Sequence, residues 1–409
     1  MTKKTINYSK EDALFASQSL VHLPGISIIH YTNLNHQPQT LIAHNPKQII
    51  HQTHAMETAA IVNAIKSSPS SYWVIATSYD WGCAQLGLSR PNAMAFFIEY
   101  DDVTIVDHQS ETATVFGRPH PTTNLKPLHS LDIDLTPLWT RDEFIHAVQT
   151  AKSCITEGDI YQLNLSYPAT VQGSSSIRDI YASITSQNLP RHGGFVSTDQ
   201  WTIASASPEE FFYMNGAHIR TRPIKGTVGR HSDPVDDQLA KSMLQQSTKD
   251  HAELVMITDL MRNDLGQLAV PGSVRVDDLC ELVPFPYVYH LVSTISATLP
   301  NRTCPMDAFM AMVPGGSITG CPKPSACKHI QAIENVPRHF YTGHLGFISN
   351  KGEASFNVGI RTCYQSANGP IMTHSGCGIT IDSNPHDEYQ ESLDKLRFLT
   401  SNCPIHVTT

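Results

Sequence analysis

From Ile160 to Tyr167 the chain changes character at every step. Tyr161, Leu163, Leu165 and Tyr167 are apolar or aromatic, and Gln162, Asn164 and Ser166 between them are polar. Successive side chains of a strand point to opposite faces, so a strict period of two marks a strand and excludes an amphipathic helix. One face must enter a core, and the polar face is expected to look into a pocket. A second run imposes the same constraint. Leu345-Gly-Phe-Ile348 leads into Asn350-Lys-Gly352, a hairpin turn signal, and the return strand alternates Phe356, Val358 and Ile360 against Asn357, Gly359 and Arg361. Residues 72–77 and 93–100 also read as strands.

Helical signals lie between these runs. Thr140-Arg-Asp-Glu143 is a capping box, Ile145, Val148 and Ala151 follow with helical spacing, and Gly158 fits the stop. Residues 118–137, rich in proline, threonine and asparagine, read as a surface connection between an N-terminal region, 1–137, and a region 138–409 that holds the chemical motifs. Strands and helices mix without a regular βαβ rhythm, which predicts an α+β layered sandwich.

With 40% hydrophobic and 16% charged residues, the 409-residue chain can bury a core. A net charge of −9 argues against nucleic acid as a partner, since that surface must be basic. No run approaches the length of a membrane span, and the lysine-bearing N-terminus lacks the apolar stretch of a secretory signal. Nine cysteines with no C-x-x-C pair predict free thiols and a cytoplasmic location.

Several positions could carry chemistry. Asp250 and Glu253 stand three apart at the start of a periodic segment, and Glu388 and Glu391 stand three apart in another. Each pair shares one helix face. Together they could surround one hard divalent cation, although from spacing alone such pairs are more often solvated faces. Lys395 falls on the second face. Residues 315–320 match the first half of a phosphate loop, but Cys321-Pro322 replaces the lysine that must follow, so a nucleotide loop is rejected. Ser375-Gly-Cys-Gly378 offers free amides near a strand end, either a nest that could hold a carboxylate or an ordinary tight turn. Lys225 sits beside glycine among apolar neighbours, as a nucleophilic amine or a plain surface lysine would. Arg361 could clamp a carboxylate, and His290 could move a proton or be a satisfied core histidine.

In order along the chain, Gly158-Asp-Ile-Tyr-Gln-Leu-Asn-Leu165, Ser205-Ala-Ser-Pro-Glu209, Pro223-Ile-Lys-Gly-Thr227, Ala252-Glu-Leu-Val-Met-Ile-Thr-Asp-Leu-Met-Arg-Asn-Asp264, His290-Leu-Val-Ser293, Tyr341-Thr-Gly343, Ile360-Arg-Thr362, Gly376-Cys-Gly-Ile379 and Glu388-Tyr-Gln-Glu-Ser392 resemble the motifs of the chorismate-utilising enzymes. That family includes the anthranilate, aminodeoxychorismate, isochorismate and salicylate synthases. The likeness covers roughly 158–400 and is loose before it. It implies an α/β/β/α sandwich with two large, mainly antiparallel sheets. It implies Mg²⁺ held by Glu253 and Glu391, with Asp250 and Glu388 behind them. It implies chorismate held by Gly226, Thr227, Tyr341, Arg361, the Gly376, Cys377 and Gly378 amides, and Lys395. Glu209 and His290 match acid/base positions. Two residues point to a branch. Lys225 stands where anthranilate synthases resemble one another in having alanine, and Gln162 stands where isochorismate and salicylate synthases carry a water-activating lysine. Both point to the aminodeoxychorismate branch, with anthranilate synthesis as the alternative. The resemblance then implies covalent participation of Lys225 and ammonia as co-substrate. No glutaminase nucleophile motif is present, so a separate class I glutamine amidotransferase subunit is expected to supply the ammonia.

Overall fold

The computed structural model describes residues 3–52, 58–68, 71–90, 92–121, 131–186, 188–285, 288–349 and 351–399. Two large antiparallel sheets dominate it. The first has twelve strands. Its order runs from Lys3–Asn7 through Thr112–Phe116, Asp102–Asp107, Pro38–His44, Ser27–Thr32, Gly194–Ser197, Trp201–Ser205, Thr362–Ser366 and Ile371–Ile379 to Gln162–Gln172 and Gly320–Cys321. Asp134–Pro137 pairs with the far half of Gln162–Gln172. The second sheet has ten strands, from Ile224–Gly229 through Val288–Thr298, His218–Arg222, Glu210–Asn215, Glu353–Asn357, His344–Ser349, Tyr72–Thr77 and Ala95–Tyr100 to Gln48–Gln52, with Arg275–Pro284 added on Val288–Thr298. Both sheets draw strands from either side of residue 137: Ser27–Thr32 pairs with Gly194–Ser197, and Tyr72–Thr77 pairs with His344–Ser349.

Side-chain alternation distributes these sheets among three large cores and a smaller cluster of Leu244, Leu254, Tyr289 and Leu291. Tyr72, Val74 and Ala76 join Ile29, Tyr31 and Leu41 of the first sheet in a core between the sheets. Trp73 and Ile75, one step out of phase, face the other way and pack with Ile61, Met261 and Phe309 from the helices Thr58–Ser67, Thr248–Gly266 and Pro305–Met312. Helices Lys10–Ser19 and Ile177–Ile184 cover the outer face of the first sheet through Ala13, Ala16, Ile177 and Ile180. The layering is helix, sheet, sheet, helix, the α+β sandwich expected. No helix among the described residues is long and apolar enough to cross a membrane, and the cysteines described are free thiols.

The local signals mostly hold. Thr140 caps helix Arg141–Thr156 with the reciprocal Glu143 contact, and Tyr72–Thr77 is a strand with the bounds expected. Leu163, Leu165 and Tyr167 are fully buried. Tyr161 departs from the pattern: it precedes the strand and is 69% exposed, so alternation begins only at Gln162. The return strand of the hairpin ends at Asn357. Arg361 lies beyond it with φ +50°, so a backbone bend, not strand alternation, aims its side chain. The supposed connection 118–137 ends in a true strand because Leu135 is buried against Gln162–Gln172; residues 122–130 lie outside the described part.

Candidate active site

A cavity of about 1680 Å³ opens where the ends of the two sheets meet helices Thr248–Gly266 and Pro385–Leu396. Every candidate site residue singled out from the sequence lines it except Cys377 and the branch marker Gln162. Residues 376–378 stand near a strand end, as expected, and do not form a tight turn. They lie inside strand Ile371–Ile379, paired with Gln162–Gln172, so their amides belong to a strand edge. Alternation turns the Cys377 side chain away from the cavity, and its Sγ bonds the Glu388 carbonyl oxygen at 3.2 Å. Glycine is required on either side. A Cβ on Gly376 would meet the Leu165 carbonyl oxygen at 2.2 Å. One on Gly378 would lie 3.2 Å from Lys225 Nζ and 3.4 Å from Glu253 Oε2. The missing side chain of Gly378 is therefore the space over which the lysine amine and a carboxylate converge.

Lys225 lies in strand Ile224–Gly229, the last of the second sheet, and Gly226 beside it takes φ +70°. A Cβ at Gly226 would press within 3.1 Å of Asp250, so this turn of backbone packs directly on the helix that carries Glu253. Asp250 itself is occupied in capping that helix: its carboxylate accepts a hydrogen bond from the Ser247 hydroxyl.

Glu209 is only 4% exposed, and burial pushes its carboxyl up to about 7, against the opposing pull of the Ser317 hydroxyl, Lys225 and the Ile224 amide. A carboxyl poised there can hold or release a proton near neutrality. His290 is buried too. Its Nδ1 lies 2.9 Å from Thr227 Oγ1 and 3.2 Å from the Gly226 carbonyl oxygen. A carbonyl only accepts, so Nδ1 is assigned the proton and Nε2 is left as an acceptor, buried and without a partner among the described residues. Burial and then the Arg361 charge lower its pKa to about 4, which keeps the ring neutral at pH 7.

The second helix supplies the remaining acids. Glu388 is buried and pairs with Lys249 Nζ at 2.8 Å. Glu391 is half-exposed and pairs with Lys395 Nζ at 2.7 Å, while Lys395 also reaches the Gly376 carbonyl oxygen at 3.0 Å. Burial raises the pKa of Glu253, with Lys225 and Lys249 opposing. These carboxylates form an oxygen-rich set of the kind a hard divalent cation takes, and three ammonium groups border it. The Cys377 thiol comes close to Glu388 and Glu391 as well, but it is a soft donor and is already hydrogen-bonded.

Arg361 faces the cavity with no carboxylate partner among the described residues, and burial lowers its pKa. A desolvated guanidinium without a counter-charge is suited to a ligand carboxylate. The buried Tyr341 ring stacks on His374, with centroids 5.1 Å apart and planes 9° from parallel. Three contributors escaped the sequence reading. Lys249 is one turn before Glu253 and could have been caught as a cation on the same helix face. Ser317 and His374 carried no pattern that would have marked them. Gln162, the branch marker, is buried and does not line the cavity.

The chain matches the family described as chorismate binding enzyme over residues 24–401. It is 38% identical over 307 residues to aminodeoxychorismate synthase component 1 of Escherichia coli strain K12, covering 73% of this chain and 68% of that one. It is 37% identical, with the same coverage, to the protein of that name from Klebsiella aerogenes. Among solved structures, the menaquinone-specific isochorismate synthase from Escherichia coli superposes with a TM-score of 0.76 at 17% identity, covering 97% of this chain and 94% of that one, a likeness of fold.

Proposed function

The chain belongs to the chorismate binding enzymes, and from that premise we propose that it is component I of an aminodeoxychorismate synthase: it replaces the C4 hydroxyl of chorismate with an amino group from ammonia. The observation that carries this reading is the position of Lys225. Its amine stands over Gly378 in the middle of the cavity, beside Glu253 and close enough to Glu209 to influence its ionisation. Anthranilate synthesis, the alternative, does not call for a lysine there.

Chorismate is a dianion. Arg361 provides one fixed positive charge for a carboxylate, and the Tyr341 ring, held by His374, provides a wall. Glu253, Glu391 and Glu388 are the residues that would hold magnesium, with Asp250 bracing their helix. When bound, magnesium supplies positive charge to a substrate carboxylate. Lys225 adds at C2, the two ring double bonds shift, and the C4 oxygen leaves with a proton from Glu209. Ammonia then adds at C4 and expels the lysine. The neutral His290 can accept a proton at Nε2. We assign the catalytic work to residues 138–409, because each of these groups lies there. Ammonia comes from a separate class I glutamine amidotransferase subunit, the product serves 4-aminobenzoate and folate synthesis, and free thiols fit a cytoplasmic protein.

Product identification tests the reading. The purified chain with chorismate, Mg²⁺ and ammonium should yield aminodeoxychorismate by mass spectrometry, and 4-aminobenzoate only after a lyase is added. Anthranilate with pyruvate would overturn it. Lys225→Ala should lower the rate by roughly a hundredfold or more, as loss of a covalent route does. An unchanged rate would remove Lys225 from the chemistry.

A further inference from the structure

Strand Gln162–Gln172 presents three polar side chains on the face opposite Leu163 and Leu165. Ser166 is committed: its amide and hydroxyl both bond the buried Glu334 carboxylate, at 2.7 and 3.0 Å. Gln162 is buried outside the cavity. Asn164 lines the cavity, and its Nδ2 is buried with no partner among the described residues. Its main chain, by contrast, is clamped. The amide donates to the Thr319 carbonyl oxygen at 2.8 Å, and the carbonyl oxygen accepts from the Arg338 guanidinium. Leaving an amide N–H buried and unpaired is unfavourable, a penalty a leucine of similar size would not carry. The group is open to an acceptor on a ligand in the cavity.

Two neighbours locate that acceptor. Asn164 is the register partner of Gly378. Directly opposed residues of an antiparallel pair project to one face with Cβ atoms roughly 5 Å apart. The Cβ position of Gly378 is 3.2 Å from Lys225 Nζ. Thr319, which holds the Asn164 amide, lies two residues beyond Ser317, whose hydroxyl bonds Glu209. The Asn164 side chain thus shares the face of Gly378, toward which the Lys225 amine reaches, and its main chain is held by the segment that carries Ser317, the partner of Glu209. In the reaction proposed above, on which this inference rests, the polar atom between Lys225 and Glu209 is the departing oxygen.

We propose that Asn164 is a further substrate-contacting residue, whose Nδ2–H donates to the C4 oxygen of chorismate and holds it in line with Glu209. As the Lys225–C2 bond forms and the C4–O bond breaks, the oxygen takes its proton from Glu209 and leaves as water. Asn164 transfers nothing; it orients the oxygen lone pair toward the acid and shares the growing negative charge.

The test compares wild type with Asn164→Leu, which keeps the volume, and Asn164→Ala; both remove the donor without adding charge. Two ligands are used: chorismate, and an analogue lacking the C4 hydroxyl, each titrated calorimetrically with Mg²⁺ present. Melting temperatures identify any variant that is misfolded, and the other then carries the comparison. Both variants should lose roughly ten- to a hundredfold in kcat/KM and in chorismate affinity, yet bind the deoxy analogue as wild type does. A loss under about twofold, or equal losses for both ligands, would overturn the assignment. If wild type binds chorismate but forms no amino product, the functional reading fails separately, and the binding comparison still decides the role of Asn164.

Discussion

Replacing Glu209 by glutamine should remove most of the activity and, above pH 7, make the protein more stable. Burial raises the folded carboxyl from its ordinary 4.5 to about 7. Between those values the folded state keeps a proton that the unfolded chain has released. Stability therefore falls as pH rises through this interval, and the full cost is present above it. At about 1.36 kcal/mol for each pH unit, ionised Glu209 costs the fold about 3 kcal/mol. Glutamine keeps the shape, still accepts from Ser317 and Ile224, and carries no charge, so it recovers that amount. Spread over 409 residues at an unfolding entropy of about 2.1 cal/mol/K each, the gain amounts to about 3–4 °C in melting temperature. The assay is a pair of thermal melts, at pH 8 and at pH 4.5, without substrate or metal. The variant should melt higher at pH 8 and level with wild type at pH 4.5, while its turnover falls roughly 10²–10⁴-fold. A melting difference that does not change with pH would refute the claim that Glu209 is forced to ionise in a buried site.

Two further substitutions address the charges around the cavity. Arg361→Met should raise the KM for chorismate by roughly ten- to a hundredfold, as loss of a charge-assisted bond does, without lowering the melting temperature, because the guanidinium has no internal partner to lose; steady-state kinetics and a melt check both parts, and an unchanged KM would remove Arg361 from the binding site. Lys249→Met frees Glu388 from a partly exposed ion pair, worth up to about 1 kcal/mol, and should tighten Mg²⁺ binding up to about fivefold in a calorimetric titration; weaker binding would show that Lys249 positions the carboxylate instead of competing for it.

Much of this molecule is written locally. The alternation of Leu163, Leu165 and Tyr167 against Asn164 and Ser166 decides which face of one strand joins the apolar core, because a strand has only two faces. Thr140 and Glu143 start a helix by satisfying its free amides, and Glu388, Glu391 and Lys395 share a face because a helix turns at a regular angle. The branch-marking Lys225 is likewise visible as a single residue. Other features depend on the register of distant strands and on how the layers dock. Lys249 meets Glu388 across 139 positions. Ser166 finds Glu334, 168 positions away, while the Asn164 carboxamide on the same strand face is left open. Arg361 reaches the cavity through a left-handed bend after its strand has ended, which a period-two pattern cannot anticipate. The Gly376–Gly378 segment works as a strand because Gln162–Gln172 lies alongside, where its own glycines suggest a turn. Periodicity records which side of an element avoids water; which charges then meet is settled by long-range packing, since no local pattern carries the position of a partner more than a hundred residues away.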